Sequence, residues 1–519
     1  MFTQKMIIKK MVQIGGSTLI SRFFGIIREI LMVRYLGASG LSDTFLTAYK
    51  IPNSLRKIFA EGALSAAFIP TVVKNVKQHN KQQVAGLMSL AFLCFEGMVI
   101  ILCMLIMYHA GSVIHFIAPG FSTQQIANAI PMVHILMPFI FFISSSALLS
   151  APLHAIGHFF IPAIAPVIVN IIFIVGLCVS IFFHLPVTCL CWFILCAGAV
   201  HLLLHLFTYI NTQFHFGPIN RESMRLFGTV IIKFLLCLPS TSLMEVALFI
   251  DTSFASLLAP GSISLISYAN RFVGIPLGVF AVAFSTILLP HFSQVNIRNP
   301  KRLHFYLLES AKFIFWVTIP IALIMAFFSQ QIFSTIFLSD NFTISQAQQA
   351  GNILIAFLLG LFFFSLNKIL LNIFYAMHAT SIPAVIALLS TVINIVLNML
   401  FIERFGTVGL ALATTIASAL QTFLFLIVLY RMYQFRIYLR PFFVFVTHYV
   451  LQLTFFSLIF WLLYQGIIML IKKYLSLTLA AFFITKIGLW LWVGPFVATF
   501  IFILYYSRKL FDIHLYFLR

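Results

Sequence analysis

The chain has 519 residues, 62% of them hydrophobic and 8% charged, with a formal net charge of +20. So little charge over so much apolar sequence excludes a soluble globular fold and points to repeated membrane crossings. The lysines and arginines sit mainly in short loops between apolar runs, as the positive-inside rule expects, so the basic excess does not indicate nucleic acid.

Apolar runs of about 20 residues place spans at about 11–36, 42–73, 84–109, 128–154, 160–184, 188–213 and 228–258. They continue at about 262–293, 311–338, 345–377, 381–402, 407–431, 443–471 and 480–507, which makes about fourteen. Lys5, Lys9 and Lys10 before the first run resemble a signal peptide. Arg22 and Arg28 within that run, and no clear A-x-A cleavage site, predict a retained span instead. One set of loops carries Lys74, Lys77, Lys81, Arg221, Arg225, Arg298, Lys301, Arg302, Arg431, Arg436 and Arg440, with basic residues at both termini. The other set has only Arg34, Arg404, Lys472 and Lys473, so both termini are expected in the cytoplasm.

The stretch AGSVIHFIAPGF (110–121) reads as an interfacial element on the outer side. A faint repeat relates AYKIP…IFAEGALSAAFIP in the second span to YANRFVGIP…VFAVAFSTILLP in the eighth. This predicts an all-α polytopic membrane protein with two pseudo-symmetric six-helix lobes of like orientation, and a site at their interface. The expected divisions are an N-lobe over 1–213, an amphipathic linker over 214–227, a C-lobe over 228–432 and two extra spans over 433–519. The seven cysteines, in or beside apolar runs, read as small buried hydrophobes.

The stretch 21–70 is the exception to the greasy pattern, with Arg22, Arg28, Glu29, Arg34, Asp43, Lys50, Arg56, Lys57 and Glu61. A charge at bilayer depth costs at least ~2.5–3.5 kcal/mol, so such residues face a partner or a wet pathway. The excess is cationic, which predicts a transporter for an anionic head group. Helical spacing puts Tyr49, Asn53 and Arg56 on one face and makes Lys57 and Glu61 an i, i+4 pair. Arginine binds phosphate oxygens in pairs and stays charged, so Arg22, Arg28, Arg56 and Arg271 together suit a diphosphate. The competing reading has each arginine paired with Asp43, Glu29 or Glu61 as structural glue.

A second group comprises Asp251, Thr391, Asn394, Asn398 and Thr414. Its oxygens suit Na⁺, or a proton on Asp251 alone; interhelix hydrogen bonding is the other reading. Glu96 and Glu245 also lie in apolar runs, with no partner evident from sequence. Scattered histidines without an H-E-x-x-H pattern, no nucleophile beside a base and no G-x-x-x-x-G-K-[ST] loop leave nothing that marks an enzyme.

SRFFGIIRE (21–29), GLSDTFLTAYKIPNSLRKIFAEGALSAAFIP (40–70), APGF (118–121) and YANRFVGIPLGVFAVAFSTILLP (268–290) resemble the MurJ/MviN family of lipid II flippases, part of a superfamily that includes multidrug exporters. The resemblance implies movement of undecaprenyl-diphosphate-linked peptidoglycan precursor from the inner to the outer leaflet of the bacterial cytoplasmic membrane by alternating access. It implies cavity arginines at Arg22, Arg28, Arg56 and Arg271, acids at Asp43, Glu61 and Glu29, and a groove for the lipid tail along the last two spans. It also implies coupling to membrane potential or a cation such as Na⁺ or H⁺, with Asp251, Asn394, Asn398 and Thr414 at the metal position and no other cofactor. Lipid II, membrane lipids and cell-wall synthesis machinery are the expected partners of a monomer. Asn270 stands where the family often has Asp, and Gly274 where it can carry an acid. The alternatives are export of another polyprenyl-diphosphate glycan or a small molecule, or a non-transporting scaffold for wall assembly.

Overall fold

A computed structural model describes residues 21, 23–78, 81–298, 302–377, 379, 381–486 and 488–518. Arg22, Lys5, Lys9 and Lys10 lie outside them, as does the side chain of Glu61. Among the described residues the fold is helical throughout, apart from an isolated Ser339–Phe342 bridge. The chain divides into two compact units, Met1–Ser264 and Leu265–Arg519.

In the first unit, α1 (residues 23–36) stops at Gly37, whose φ of 61° ends the helix in the left-handed region. Ser39 then caps α2 (Gly40–Arg56) by accepting from the Ser42 N–H at 3.2 Å. Pro52 removes an N–H from α2, and just beyond it the helix widens into π turns over Lys57–Leu64 before continuing as α3 (Ser65–Gln78). The third span is built the same way: α4 (Lys81–Ala91), π turns over Phe92–Glu96 and α5 (Gly97–Tyr108). Then follow α6 (Ala110–Ile117), α7 (Thr123–Leu136), α8 (Pro138–Ala155), α9 (Phe160–Phe182), α10 (Val187–Asn211) and α11 (Arg221–Ser256).

The stretch 214–227, expected as a linker, begins extended and then enters α11. Gly217 donates to Ala85 O at 3.2 Å and to Ser89 Oγ at 3.0 Å, which pins an extended segment to α4, and Asn220 and Ser223 cap α11 directly. Phe68, Met88, Phe95, Leu149, Tyr209 and Phe234 form one buried cluster, so α11, read from sequence as part of the C-lobe, packs with the first unit. Lipid is as apolar as these side chains, so close packing rather than escape from water holds such a cluster together.

The second unit opens within α12 (Ser262–Pro276), which passes through π turns over Leu277–Val282 into α13 (Ala283–Arg298). Next come α14 (Arg302–Phe327), α15 (Ser329–Ile336), α16 (Ile344–Leu358) and α17 (Leu361–Ala376). α18 (Ser381–Tyr433) is two helices joined at Gly406, whose φ of 54° and ψ of −130° suit glycine alone. The two arms touch where Ser390 Oγ donates to Ala417 O at 3.1 Å. The chain ends with α19 (Leu439–Tyr474), α20 (Leu477–Thr485), α21 (Leu489–Ser507) and a short turn at Tyr516–Leu518.

The repeat reappears in the local chemistry of each unit. Pro52 and Pro276 each precede a π segment. The short helices α6 and α15 each lead to a helix opened by a capping box, Ser122 with Gln125 and Thr343 with Gln346. Nine helices among the described residues are long and apolar enough to cross a membrane, or ten if the bent pair α16–α17 is one span. The fourteen expected from sequence are not reached by this count, in which α18 enters once although Gly406 divides it.

Candidate functional site

The charged side chains of the first unit gather along α1, α2 and the helices packed on them. Arg28 projects from α1 into a setting provided by α9. One terminal nitrogen donates to Asn170 Oδ1 at 3.0 Å, and the guanidinium lies 5.0 Å from the centre of the Phe173 ring. Its other terminal nitrogen is 3.7 Å from a Glu29 carboxylate oxygen. A hydrogen bond to a charged group contributes ~1.5–3 kcal/mol and a cation–π contact ~0.5–2, so together they fix where the fork points. Asn170 in turn donates to Ser21 O at 3.3 Å, which ties α9 to the start of α1. Glu29 itself is buried, at 5% exposure.

Along α2, Arg56 turns back on its own helix. Its Nε and a terminal nitrogen donate to Asn53 Oδ1 at 3.3 and 3.1 Å, so the shared face predicted for Asn53 and Arg56 becomes a direct contact. Lys57 reaches Glu245 on α11, at 3.1 Å. That finding gives Glu245 its partner; the expected Lys57–Glu61 pair involves a side chain outside those described. Lys50 donates to Leu248 O at 2.6 Å and to the Thr252 hydroxyl, with the Asp251 carboxylate acting on it electrostatically. The two cations seven residues apart, Lys50 on α2 and Lys57 at the start of the π segment, therefore face acids six residues apart on α11.

Asp43, expected as a cavity acid, has another task in this structure. It is 3% exposed, and its two oxygens accept from Gly261 N at 2.6 Å, Ser264 N at 2.8 Å and Ser264 Oγ at 2.5 Å. A carboxylate over the free N–H groups that open a helix is held there by the helix dipole, without an arginine. Asp43 borders a cavity of about 500 Å³, also lined by Gln124, Gln125 and Asn128, but its oxygens are turned to backbone. Glu96 is likewise placed: both its oxygens accept from Ser144 Oγ, at 2.9 and 2.7 Å.

In the second unit, Arg271 and Asn270 are exposed on α12, and open space adjoins Gly274. Arg271 stands less than two turns before the π segment, as Arg56 directly precedes its own. Asn394 donates to Thr414 Oγ1 at 3.4 Å across the two arms of α18, and Asn398 donates to Asn394 Oδ1 at 3.1 Å within the first arm. Thr391 bonds back to Ala387 O at 2.9 Å. Two of the expected oxygen ligands, Thr414 Oγ1 and Asn394 Oδ1, thus accept from amides of the same group, while Asp251 belongs to the first unit beside Lys50. Among the described residues no three His, Cys, Asp or Glu side chains assemble as a metal site.

Asn170, Phe173, Ser144 and the pairing of Glu245 escaped the sequence reading. Each lies 48 to 188 residues from its partner, a distance no local pattern spans. The one available signal was a lone amide or acid within an apolar run, which Asn170 and Glu245 both are.

Comparison with known proteins was then informative. The family model described as "Lipid II flippase MurJ" matches residues 32–488. The probable lipid II flippase of Buchnera aphidicola subsp. Baizongia pistaciae is 31% identical over 430 residues, which cover 80% of this chain and 82% of that protein. The lipid II flippase of Burkholderia cenocepacia is 29% identical over 424 residues, covering 80% of this chain and 82% of its own. Among solved structures, an inward-closed lipid II flippase aligns over 96% of this chain and 99% of its own, with a TM-score of 0.75 at 24% identity. An inward-facing multidrug transporter of the MATE family aligns over 80% and 96%, with a TM-score of 0.68 at 13% identity. Those two likenesses bear on the fold.

Proposed function

Because the chain belongs to the MurJ family of lipid II flippases, we propose that it carries lipid II from the inner to the outer leaflet of the cytoplasmic membrane by alternating access. It is a multi-pass membrane protein; the loop-charge bias supports cytoplasmic termini. Arg28 and Arg56 of the first unit and Arg271 of the second supply the charge that binds the diphosphate, with Arg22 and Glu61 assigned to the same task by resemblance.

The observation that carries this reading is Arg28. A cation at membrane depth is aimed by a neutral amide and an aromatic face, and its nearest acid stands 3.7 Å away, beyond hydrogen-bond distance. Such a fork is oriented yet keeps charge to offer an anion, and the exchange of hydration for charge-assisted hydrogen bonds stabilises the bound diphosphate. Arg56, steadied by Asn53, serves the same role one helix away. The lipid tail stays in the bilayer beside α19 and α21, whose outward faces carry Leu451, Phe455, Leu458, Leu462 and Phe502.

Asp43 is a positioning residue that holds the turn before α12. Asn394 and Thr414 act as interhelix hydrogen-bond partners, with Asn398 orienting Asn394. For coupling, the membrane potential acting on mobile charge is sufficient in scale, at ~2.3 kcal/mol per charge per 100 mV.

The test is replacement of the resident flippase in cells depleted of it. Restored exposure of lipid II on the outer face is the expected result; membrane insertion without exposure would contradict the assignment.

A further inference from the structure

Two histidines that sequence left unremarked stack on one another in the first unit, and a third acts on one of them from a neighbouring helix. His201 and His205 lie four residues apart on α10, with ring centres 4.6 Å apart and planes tilted by 29°. His205 Nδ1 is 2.9 Å from His201 O. His154, at the end of α8, stacks on Phe159 at 5.1 Å and acts electrostatically on His205. His201 is 9% exposed, yet its Nδ1 has no hydrogen-bond partner, and neither has His154 Nδ1. A buried polar atom left unmade costs ~1–3 kcal/mol, and inside a membrane such an atom marks function more often than packing. The groups that act on His201 are His205, from its own helix, and the Arg56 guanidinium from α2.

The chemistry available here is narrow. A metal cation would stand beside a guanidinium, and among the described residues no three ligating side chains converge. An anion held by Arg56 is the opposite case: it draws a proton onto a neighbouring imidazole. A second permanent cation at this place would repel Arg56 whenever the seat is empty, whereas histidine changes charge with occupancy.

We propose that His201, backed by His205 and His154, is a proton-accepting part of the head-group seat, taking up one proton when a diphosphate settles against Arg56. The proton comes from water on the side where the head group enters. It forms an N–H bond at the unpartnered nitrogen, which then donates to a phosphate oxygen, and it returns to water when the anion leaves. This inference rests on the diphosphate reading of Arg56 above.

The test is calorimetric titration of the detergent-solubilised full chain with a short-chain prenyl-diphospho-N-acetylglucosamine, a diphosphate diester without an ionisation near neutral pH. The titration is run in two buffers of different ionisation heat. Wild type is expected to take up about one proton per ligand, seen as buffer-dependent heat. His201→Gln is expected to bind up to about tenfold more weakly with that dependence gone. His158→Gln, as a control, keeps it. Binding without buffer dependence in wild type, or undiminished uptake in His201→Gln, overturns the proposal and leaves the arginine seat standing. No binding in wild type contradicts the seat itself. If His201→Gln fails to fold, the wild-type Kd decides: weakening with rising pH by up to about tenfold per unit supports the proposal, and a flat profile overturns it.

Discussion

At the scale of single residues, pairing decides which charges serve transport and which serve structure. Arg28 is aimed by Asn170, so Asn170→Leu should lower flipping about tenfold at unchanged membrane level, the effect of losing ~1.5 kcal/mol of orientation. Arg28→Lys should not restore activity, because a point charge cannot reproduce the fork that meets both Asn170 and a phosphate. A flipping assay at matched expression reads both. The Lys57–Glu245 pair behaves differently. Glu245 is nearly buried, so Glu245→Gln leaves a cation facing a neutral amide and should lower the thermal unfolding midpoint. The double change Lys57→Met with Glu245→Met should return it close to wild type, since no charge is then left unpartnered. A double variant as unstable as the single would show that the pair matters through packing alone. The arginines were legible in the sequence because any charge in an apolar run stands out. Their partners were not, because Asn170 and Glu245 become neighbours only through tertiary packing.

At the scale of elements, the apolar runs located the helices well, and the misses have physical causes. Pro52 and Pro276 signalled weakened helices, but not that the backbone would absorb the lost hydrogen bond as π turns. The run over 311–338 passed over the break at Phe328, although the polar Ser329, Gln330 and Gln331 open α15 just beyond it. The polar stretch 214–227 read as an amphipathic linker; its first half is extended and fastened to α4 by Ser89, a tertiary contact without a local pattern. Gly406 was the readable case, a glycine between two spans. Its backbone lies where side chains do not fit, so Gly406→Ala should cost ~1–3 kcal/mol and lower the unfolding midpoint without changing the number of spans. An unchanged midpoint would mean that the joint between the arms of α18 relaxes freely.

At the scale of the whole molecule, two units carry related sequences of helices, each with a proline, a π segment and an arginine near it. The repeat was legible from the paired motifs of the second and eighth spans. The placement of α11 with the first unit was not, because an apolar helix does not announce which neighbours it will pack against. Asp251 falls in the first unit and the amides of α18 in the second. What unites the two units in function is the claim that their arginines handle one diphosphate. The most direct measurement is lipid II exposure on the outer face of cells depleted of their own flippase, supplied with wild type, Arg28→Ala or Arg271→Ala at matched membrane levels. Exposure restored by wild type and abolished in both variants is the predicted result; exposure restored equally by either variant would contradict it.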